Sequence, residues 1–434
     1  MRTRLYSFLL LSPLLLSLYQ CRPLEEEKMR DINWTFSDPE VRRLYTFQDE
    51  QNLDSLFSYF HHPNPTYRYG AAMAFGSIKE PKAIDSLILL LENDEILDVR
   101  AAAAYALGQI GEQRAEAALL TAFNPLDSLS DDDFLNKTIL TAIGRIGTKK
   151  QLENLSTVKY MRADTLPLEG QARGLYYFSL RKMINPKGTD KMLEFLIRKG
   201  YPENIRMIAA HYLARAKNIE IDSLELIGLS KTFAKENNPN IRMALVLGLG
   251  KTDSPIALET IEKRLREEKD YRVICNAIRS LYNFDYATVA PIVMPFLDSD
   301  NTHIAYTAAN YFVEKGIPKG AKIYWQKARD TSLHWLTQIT LYKAANRYMP
   351  VYFELSKSQI NRQLKATFAT ATNSYLKAAA LDALAEHKWN YRFIKDEAFD
   401  VSDNVVRTAS VEALAKIAQA EGFETTFGSL GAKR

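Results

Sequence analysis

The stretch from Asp98 to Gly111 constrains the fold more than any other part of the chain. Its sequence, DVRAAAAYALGQIG, has the apolar period of an α-helix. One face of that helix carries Val99, Ala103, Leu107 and Ile110. The run of alanines leaves this face nearly flat, so a second helix can approach closely, and Gly108 and Gly111 are expected to close the helix. So short a helix cannot bury its own apolar face and needs neighbours of the same kind.

Copies of this stretch recur along the chain. Alignment on the position of Arg100, and on the position of Leu107 seven residues later, gives eleven matches about 34 residues apart on average. The pairs are Arg68 with Phe75, Arg100 with Leu107, Asn136 with Ile143, Arg173 with Leu180, Arg206 with Leu213, Arg242 with Leu249, Ile274 with Leu281, Ala305 with Phe312, His334 with Leu341, Lys377 with Leu384, and Arg407 with Leu414. Each second position is large and apolar, which predicts a repeated, buried anchor.

Another helical pattern lies between successive anchored helices, as at residues 81–91 and 254–261. Each pair therefore consists of this first helix and an anchored second helix. Proline near the start of these segments suits the first helical turn. Turn and capping residues precede the anchored helices, namely Asn64-Pro65, Asp98 and Asn238-Pro239. No stretch alternates with period two, so the sequence predicts an all-α fold, an α-α superhelix of about eleven helix pairs.

Two motifs carry a family resemblance. Asn-Pro-x-x-Arg-x-x-Ala at the second helix and Ala-x-x-Leu-Gly-x-Ile-Gly at its end resemble HEAT repeats, and the short bacterial subclass in particular. The resemblance covers residues 36–420. It implies a right-handed solenoid whose second helices line an extended concave surface, suited to holding another protein or an extended peptide.

The N-terminus has the features of a targeting segment. Arg2 and Arg4 precede an apolar run from Leu5 to Leu18 that is too short to span a bilayer, and Cys21 follows. Residues 1–21 resemble a bacterial lipoprotein signal with Cys21 as the lipidated residue. An ordinary secretory signal and a retained anchor helix are the alternatives. The lipoprotein interpretation predicts a bacterial outer-membrane or cell-surface protein facing the periplasm or the exterior. Residues 22–35 are expected to form an acidic tether, and residues 421–434 are expected to form a C-terminal tail.

The first repeats have a narrower resemblance. Residues 37–49, 62–68 and 100–111 resemble the HEAT array of Bacteroidetes envelope lipoproteins that carry a cyclophilin-type prolyl isomerase domain. No segment here resembles the Phe-His-Arg segment of cyclophilins, so isomerase activity does not carry over. The resemblance leaves an alternative function open: an accessory, or a truncated or split relative, of an envelope peptidyl-prolyl isomerase involved in protein folding.

No motif in the sequence points to a catalytic chemistry, cofactor or metal. The histidines are His61, His62, His211, His303, His334 and His387, and none forms a zinc-binding motif. Residues 248–251 are better explained as a helix end than as a phosphate loop, and residues 131–133 as a helix cap than as a calcium site. A net charge of +4 does not favour nucleic acid as a partner. We therefore expect a non-enzymatic protein with no small-molecule substrate.

Two residue sets remain as candidate functional features. A recurring arginine at positions 68, 100, 173, 206, 242 and 407 predicts a structural ladder that bonds to the neighbouring repeat, with ligand contact as the alternative. The ladder residues are Arg68, Arg100, Arg173, Arg206, Arg242 and Arg407. A candidate partner-binding patch comprises Tyr306, Tyr311, Tyr324, Trp325, Trp335 and Tyr342, with core packing as the alternative. The sequence thus predicts a lipid-anchored scaffold in the bacterial envelope that binds a protein or peptide.

Overall fold

A computed structural model describes residues 32–124, 133–161, 164–350 and 354–420. Within these ranges the chain is built from helices and connecting turns, with no strand, which confirms the all-α prediction. The predicted signal segment, Cys21, most of the acidic tether and the C-terminal tail lie outside the described residues. The domain boundaries drawn from the sequence stay predictions.

The described residues contain 23 α-helices. In chain order they are α1 (Pro39–Asp49), α2 (Leu53–Ser58), α3 (Pro65–Ile78), α4 (Ile84–Asn93), α5 (Leu97–Ile110), α6 (Glu116–Ala122), α7 (Asp133–Ile146), α8 (Lys149–Thr157), α9 (Thr165–Leu180), α10 (Pro186–Ile197), α11 (Glu203–Arg215), α12 (Ser223–Lys235), α13 (Pro239–Leu249), α14 (Pro255–Leu265), α15 (Tyr271–Ser280), α16 (Tyr286–Val293), α17 (Thr302–Lys315), α18 (Ala321–Ala328), α19 (Trp335–Tyr348), α20 (Glu354–Thr370), α21 (Ser374–Leu384), α22 (Tyr391–Ala398) and α23 (Asn404–Ala420). After α1 they form eleven consecutive pairs, from α2 and α3 to α22 and α23.

Local sequence signals fix the ends of many helices. The side chains of Asn64 and Asn238 each accept a hydrogen bond from a backbone N–H in the first turn, at 2.9 Å and 2.8 Å, and proline follows each of them. These are the two Asn-Pro positions expected from the sequence. Gly111 ends α5 with φ +88°, a left-handed conformation that glycine adopts without strain. Gly108 does not close the helix as expected, because it lies inside α5 and is buried there.

The chain divides into two compact units. The first runs to Phe195 and includes 200–212 and 216–219, and the second contains 196–199, 213–215 and the chain from Glu220 onward. In the first unit the second helices of successive pairs pack in order, α3 on α5, α5 on α7 and α7 on α9. In the second unit the same order runs from α13 through α15, α17, α19 and α21 to α23. Each unit therefore has the stacked helix pairs of an α-α superhelix.

Small residues allow the second helices of the first unit to approach closely. A Cβ atom added at Gly108 would lie 2.8 Å from the Cβ of Ala142, and one added at Gly144 would lie 2.5 Å from the Cα of Gly174. The second contact is with backbone, which cannot turn aside as a flexible side chain could. Glycine at 108 and 144 thus sets the helix spacing in this unit.

Most of the predicted anchors are in the core. Ten of the eleven large apolar positions are buried, and the exception is Leu180, which is 46% exposed. In the same helix, α9, Leu175 and Phe178 are buried instead. The repeat register assigned to α9 was therefore wrong, because Leu180 is the last residue of the helix and its side chain lies beyond the packed face.

Candidate functional site

Arg68 on α3 links its repeat to the next one. Its Nε and Nη2 donate to Oδ2 and Oδ1 of Asp94, at 2.7 and 3.0 Å, and Asp94 lies 26 residues later in the turn before α5. Its Nη1 also donates to the carbonyl oxygens of His62 and Pro63, at 2.9 and 3.1 Å, in the turn before α3. The hydrogen bonds that Arg68 donates to Asp94 keep the pKa of Arg68 above its usual value. We call such an arginine–carboxylate link between successive repeats a rung.

Arg242 on α13 forms an equivalent rung in the second unit. Its Nε and Nη2 donate to Oε2 and Oε1 of Glu268, again 26 residues later, at 2.8 and 2.9 Å. Its Nη1 donates to the carbonyl oxygens of Glu236 and Asn237, at 3.2 and 2.8 Å. The side chains of Arg242 and Glu268 are 9% and 3% exposed, so this pair is removed from water.

Glu268 is held ionised by its surroundings. Burial by itself would raise its pKa, but hydrogen bonds from Arg242, from the backbone N–H of Asp270 and from Arg264 outweigh burial and lower the pKa from 4.5 to about 2. The carboxylate therefore keeps its charge over the whole physiological range, and the rung with it.

Three other predicted ladder arginines, Arg100, Arg173 and Arg407, differ from these two. Arg100 donates from Nε to the carbonyl oxygen of Leu91 at 2.9 Å, which ties α5 to the helix before it. Arg173 pairs with Glu169 of its own helix at 2.7 Å, because the register assigned to α9 was wrong. Arg407 bonds to Asn404, also within its own helix. Arg206 is half-buried. Of the predicted ladder, Arg68 and Arg242 thus form equivalent rungs and Arg100 forms a backbone tie, whereas Arg173 and Arg407 bond within their own helices.

A second set of inter-repeat links was not anticipated from the sequence. Arg181 donates from Nη1 to the carbonyl oxygen of Gly147 at 2.8 Å, and Arg347 does the same to Val313 at 2.9 Å. In both cases the acceptor lies 34 residues earlier, one repeat length, at the end of the preceding second helix. The last carbonyls of a helix have no partner within it, so these arginines satisfy groups that would otherwise need water.

Arg347 also anchors a cluster of charges near the end of the second unit. Its Nε and Nη2 donate to Glu386 at 2.9 and 3.0 Å, and Lys416 donates to the same carboxylate at 2.6 Å. Burial would raise the pKa of Glu386, but the hydrogen bonds from Arg347 and Lys416 lower it below 4.5. Side chains of α19, α21 and α23 and the segment between α21 and α22 are thereby connected by one ionic network. The sequence signal that could have revealed this ionic network is a basic residue in the last turn of a second helix.

The aromatic patch predicted from the sequence is divided by the structure. Tyr311 and Tyr324 are buried, so they cannot take part in a surface and their inclusion in the patch was wrong. Tyr324 bonds through its hydroxyl group to that of Tyr286, and the ring of Tyr286 is stacked on Tyr311 with centroids 6.4 Å apart. Burial raises the pKa of both Tyr311 and Tyr324. Large rings therefore fill the core of this repeat, whereas alanines fill the core of the first repeats.

The four remaining aromatic residues are half-buried and keep part of each ring in solvent. They are Tyr306 on α17, Trp325 on α18, and Trp335 and Tyr342 on α19. The guanidinium carbon of Arg329 lies 5.9 Å from the ring centroid of Trp325. These four side chains come from three helices of the second unit, of which α17 and α18 each pack on α19. We call these four residues the aromatic surface.

Two further properties bear on the kind of site this chain can offer. Among the described residues, no three His, Cys, Asp or Glu side chains gather closely enough to hold a metal ion. None of the helices in the described ranges is both long enough and apolar enough to cross a membrane. Cys275 is buried, with its Sγ 3.5 Å from the carbonyl oxygen of His303.

Comparison with known proteins identifies the repeat. The family model for HEAT repeats matches residues 53–129 and 226–313, and both rungs lie inside these two regions. Among solved structures, yeast importin-beta (Kap95p) is similar at 14% identity, over 85% of this chain and 52% of that chain, with a TM-score of 0.47. Human deoxyhypusine hydroxylase in complex with glycerol is similar at 16% identity, over 59% of this chain and 93% of that chain, with a TM-score of 0.25.

These structural likenesses concern the fold alone. The chain spans about half the length of the importin-beta chain that it matches, and TM-scores this low carry no argument about a partner or a reaction. No curated protein sequence matches this chain.

Proposed function

Because HEAT repeats match in both compact units of this chain, we propose that it is a non-enzymatic scaffold that binds another protein or an extended peptide. The observation that carries the proposal is the matched repeat in both units, at residues 53–129 and 226–313. A stack of helix pairs presents one long surface to which each repeat contributes a few side chains, and such surfaces suit extended protein partners. The second helices are proposed to line a concave binding face.

The aromatic surface, with Tyr306, Trp335 and Tyr342 on second helices and Trp325 on the first helix α18, is the proposed contact area in the second unit. Partly exposed indole and phenol rings offer a large apolar area at a low cost in side-chain entropy, which is why they dominate binding hot spots. Arg329, beside Trp325, adds a cation that can pair with a carboxylate of the partner.

We also propose that the protein is attached to the bacterial envelope through a lipid on Cys21. The support comes from the sequence: the basic residues Arg2 and Arg4, the short apolar run, the cysteine and the acidic residues that follow it. A triacylated N-terminus binds a bilayer firmly, since each buried methylene contributes about 0.8 kcal/mol. The proposed location is the outer membrane or the cell surface.

Affinity purification tests the scaffold. The full chain with a C-terminal tag, produced in its source organism and mildly cross-linked, should recover one protein in near-equal amount. Replacing Trp325 and Trp335 by alanine should abolish recovery while the melting temperature stays within a few degrees. Leu224→Ala, at a site that is 80% exposed, serves as the control and should recover the partner normally. A chain that recovers no protein and converts a small molecule would refute the proposal.

Mass spectrometry of the mature N-terminus tests the anchor. The proposal requires a terminal peptide that begins at Cys21 and carries fatty acyl groups, and Cys21→Ser should remove both the lipid and the membrane association. An N-terminal peptide that contains an unmodified Cys21 would contradict it.

A further inference from the structure

A cavity of about 530 Å³ lies near the end of the second unit, apart from the aromatic surface. Its walls come from α20 and from the turn that leads into α22. The side chains that matter here are Lys357, Asn361, Arg362, Lys365, Trp389 and Asn390. The volume falls within the range of ligand-binding pockets in proteins, roughly 300–1,000 Å³.

The walls of the cavity carry positive charge that is not neutralised. Lys357, Arg362 and Lys365 contribute three cations, and within the described part of the chain no carboxylate lines the cavity. Lys357 is only 8% exposed, and among the described residues its ammonium group has no carboxylate partner. Burial lowers the pKa of Lys357. The nearby Glu386 is already bonded to Arg347 and Lys416. Lys357 is mostly buried along its stem, and its ammonium group reaches solvent without a carboxylate partner from the residues that the structure describes, which favours the binding of an anion.

Trp389 provides an apolar wall beside these cations. Its side chain is 57% exposed, yet one face of the indole stacks on His387 with ring centroids 4.3 Å apart. His387 is fixed in turn by a hydrogen bond between its Nε2 and the carbonyl oxygen of Asn346, at 3.0 Å. The ammonium group of Lys357 lies 5.7 Å from the indole centroid. The ring is thus held in place while part of it faces solvent.

A chain of buried amides forms the floor of the cavity. Asn361 donates to Oδ1 of Asn346 at 3.0 Å, and Asn390 donates to Oδ1 of Asn361 at 2.7 Å and to the carbonyl oxygen of Leu384 at 2.8 Å. These two acceptors fix the orientation of the Asn390 amide through its Nδ2. Its Oδ1 has no donor among the described residues. A buried acceptor without a donor is costly, and because Asn390 is fully buried its oxygen is a cost of the fold and is not offered to a ligand.

We propose that this cavity binds an acidic segment of a protein partner. Carboxylates of the segment would pair with Lys357, Arg362 and Lys365, and an apolar side chain would cover the exposed part of Trp389. A free phosphate ion satisfies the cations but offers nothing to the indole. The inference rests on the proposed scaffold function and deepens it, since it names the chemistry of the segment that is held.

Peptide titration tests the inference. The probe is a fluorescein-labelled octapeptide of alternating glutamate and leucine, followed by anisotropy with the full chain. A peptide with lysine in place of glutamate should bind at least tenfold more weakly, and millimolar phosphate should not displace the acidic peptide completely. Equal binding of the two peptides, or complete displacement by phosphate, would overturn the inference in favour of a non-specific or simple anion site.

Matched variants locate the binding. Arg362→Glu with Lys365→Glu reverses two charges on the cavity wall, and we expect the acidic peptide to bind at least tenfold more weakly. Lys149→Glu with Lys150→Glu makes the same change in net charge on the exposed part of α8 and should change the affinity less than twofold. Equal loss in both variants would mean that only overall charge matters and would refute the site. Circular dichroism of each variant confirms that the helices are intact.

The two proposals can fail separately. If the protein partner binds the Arg362→Glu, Lys365→Glu variant as well as the unchanged chain, the cavity inference is wrong and the scaffold stands. If no protein partner is recovered while the acidic peptide still binds at the cavity, the scaffold function is wrong and the binding site stands.

Discussion

The rung between Arg242 and Glu268 allows a strong prediction about stability. Replacing Arg242 by methionine keeps a long apolar stem but removes both charge-assisted hydrogen bonds to the carboxylate. It also leaves the carbonyl oxygens of Glu236 and Asn237 without their donor. Breaking a buried ion pair from one side typically costs about 3–5 kcal/mol, because the remaining charge stays buried. We expect a loss of that size.

The pKa of Glu268 gives a second, independent magnitude. It is about 2 in the folded chain against 4.5 as the usual value, and the side chain is 3% exposed. At about 1.4 kcal/mol per unit, the shift contributes roughly 3 kcal/mol of stability. Because the folded-state pKa is lowered, this stability is present above pH 4.5 and is lost as the pH falls toward 2. Arg242→Met should make that acid dependence smaller.

Urea unfolding followed by circular dichroism measures the effect at pH 7. With a slope of roughly 2–3 kcal/mol/M, a loss of 3 kcal/mol lowers the midpoint of the second unit's transition by about 1 M. The control is Arg266→Met. Arg266 pairs with Glu262 on the exposed surface of α14, its side chain is 74% exposed, and an exposed pair contributes at most about 1 kcal/mol.

A double variant separates the charge from the packing. Replacing Arg242 and Glu268 together by methionine removes the buried carboxylate that Arg242→Met leaves with Arg264 but without its bidentate partner, so the double variant should be more stable than Arg242→Met alone. If Arg242→Met unfolds at the same urea concentration as Arg266→Met, the rung contributes nothing and the reasoning is wrong.

Three further predictions follow from buried groups. Gly144→Ala should lower the unfolding free energy by about 1–3 kcal/mol in urea, because the new methyl group meets the backbone of Gly174; an unchanged midpoint would contradict this. Tyr311→Phe should leave the melting temperature unchanged or raise it, since its buried hydroxyl group has no partner among the described residues. Tyr212→Phe should lower the melting temperature, because that hydroxyl group is hydrogen-bonded. The reverse order of the two variants would refute the assignment. Burial lowers the pKa of His387 below 6.5, so its contribution to stability is present above pH 6.5 and is lost as the pH falls below that value. His387→Gln should therefore flatten the pH dependence of the melting temperature in this range. A variant with the same pH dependence as the unchanged chain would contradict this.

The repeat could be predicted from the sequence because packing imposes it directly. A buried helix face needs a large apolar residue at a fixed place, and ten of the eleven anchors are found in the core. The failure at Leu180 has a physical reason. Arg173 and Leu180 keep the right spacing, but α9 also offers Leu175 and Phe178, and only packing against neighbouring helices decides which of these residues faces inward.

The contacts between repeats were harder to predict. Arg68 and Arg242 recur at the expected position, yet their carboxylate partners lie 26 residues later in turns of variable length, where Asp94 serves one and Glu268 the other. The donation from Arg347 to Val313 depends on which helix ends lie side by side. Sequence spacing shows that repeats exist, and the stacked structure determines which side chains join them.

The aromatic residues illustrate the limit of composition. Six large rings in one region can form either a surface or a thicker core, and the sequence does not choose between them. The structure assigns Tyr311 and Tyr324 to the core and leaves Trp325 and Trp335 partly exposed. The cavity near Trp389 could not be predicted from the sequence, because its buried amides come from three separate segments and no motif marks them.

Native mass spectrometry of the purified chain mixed with the protein that it recovers from membranes tests the central claim most directly. A non-enzymatic scaffold predicts one saturable complex whose mass equals the sum of the masses that the two proteins have when measured separately. Two separate masses at saturating concentration, or a partner whose own mass has changed, would contradict it.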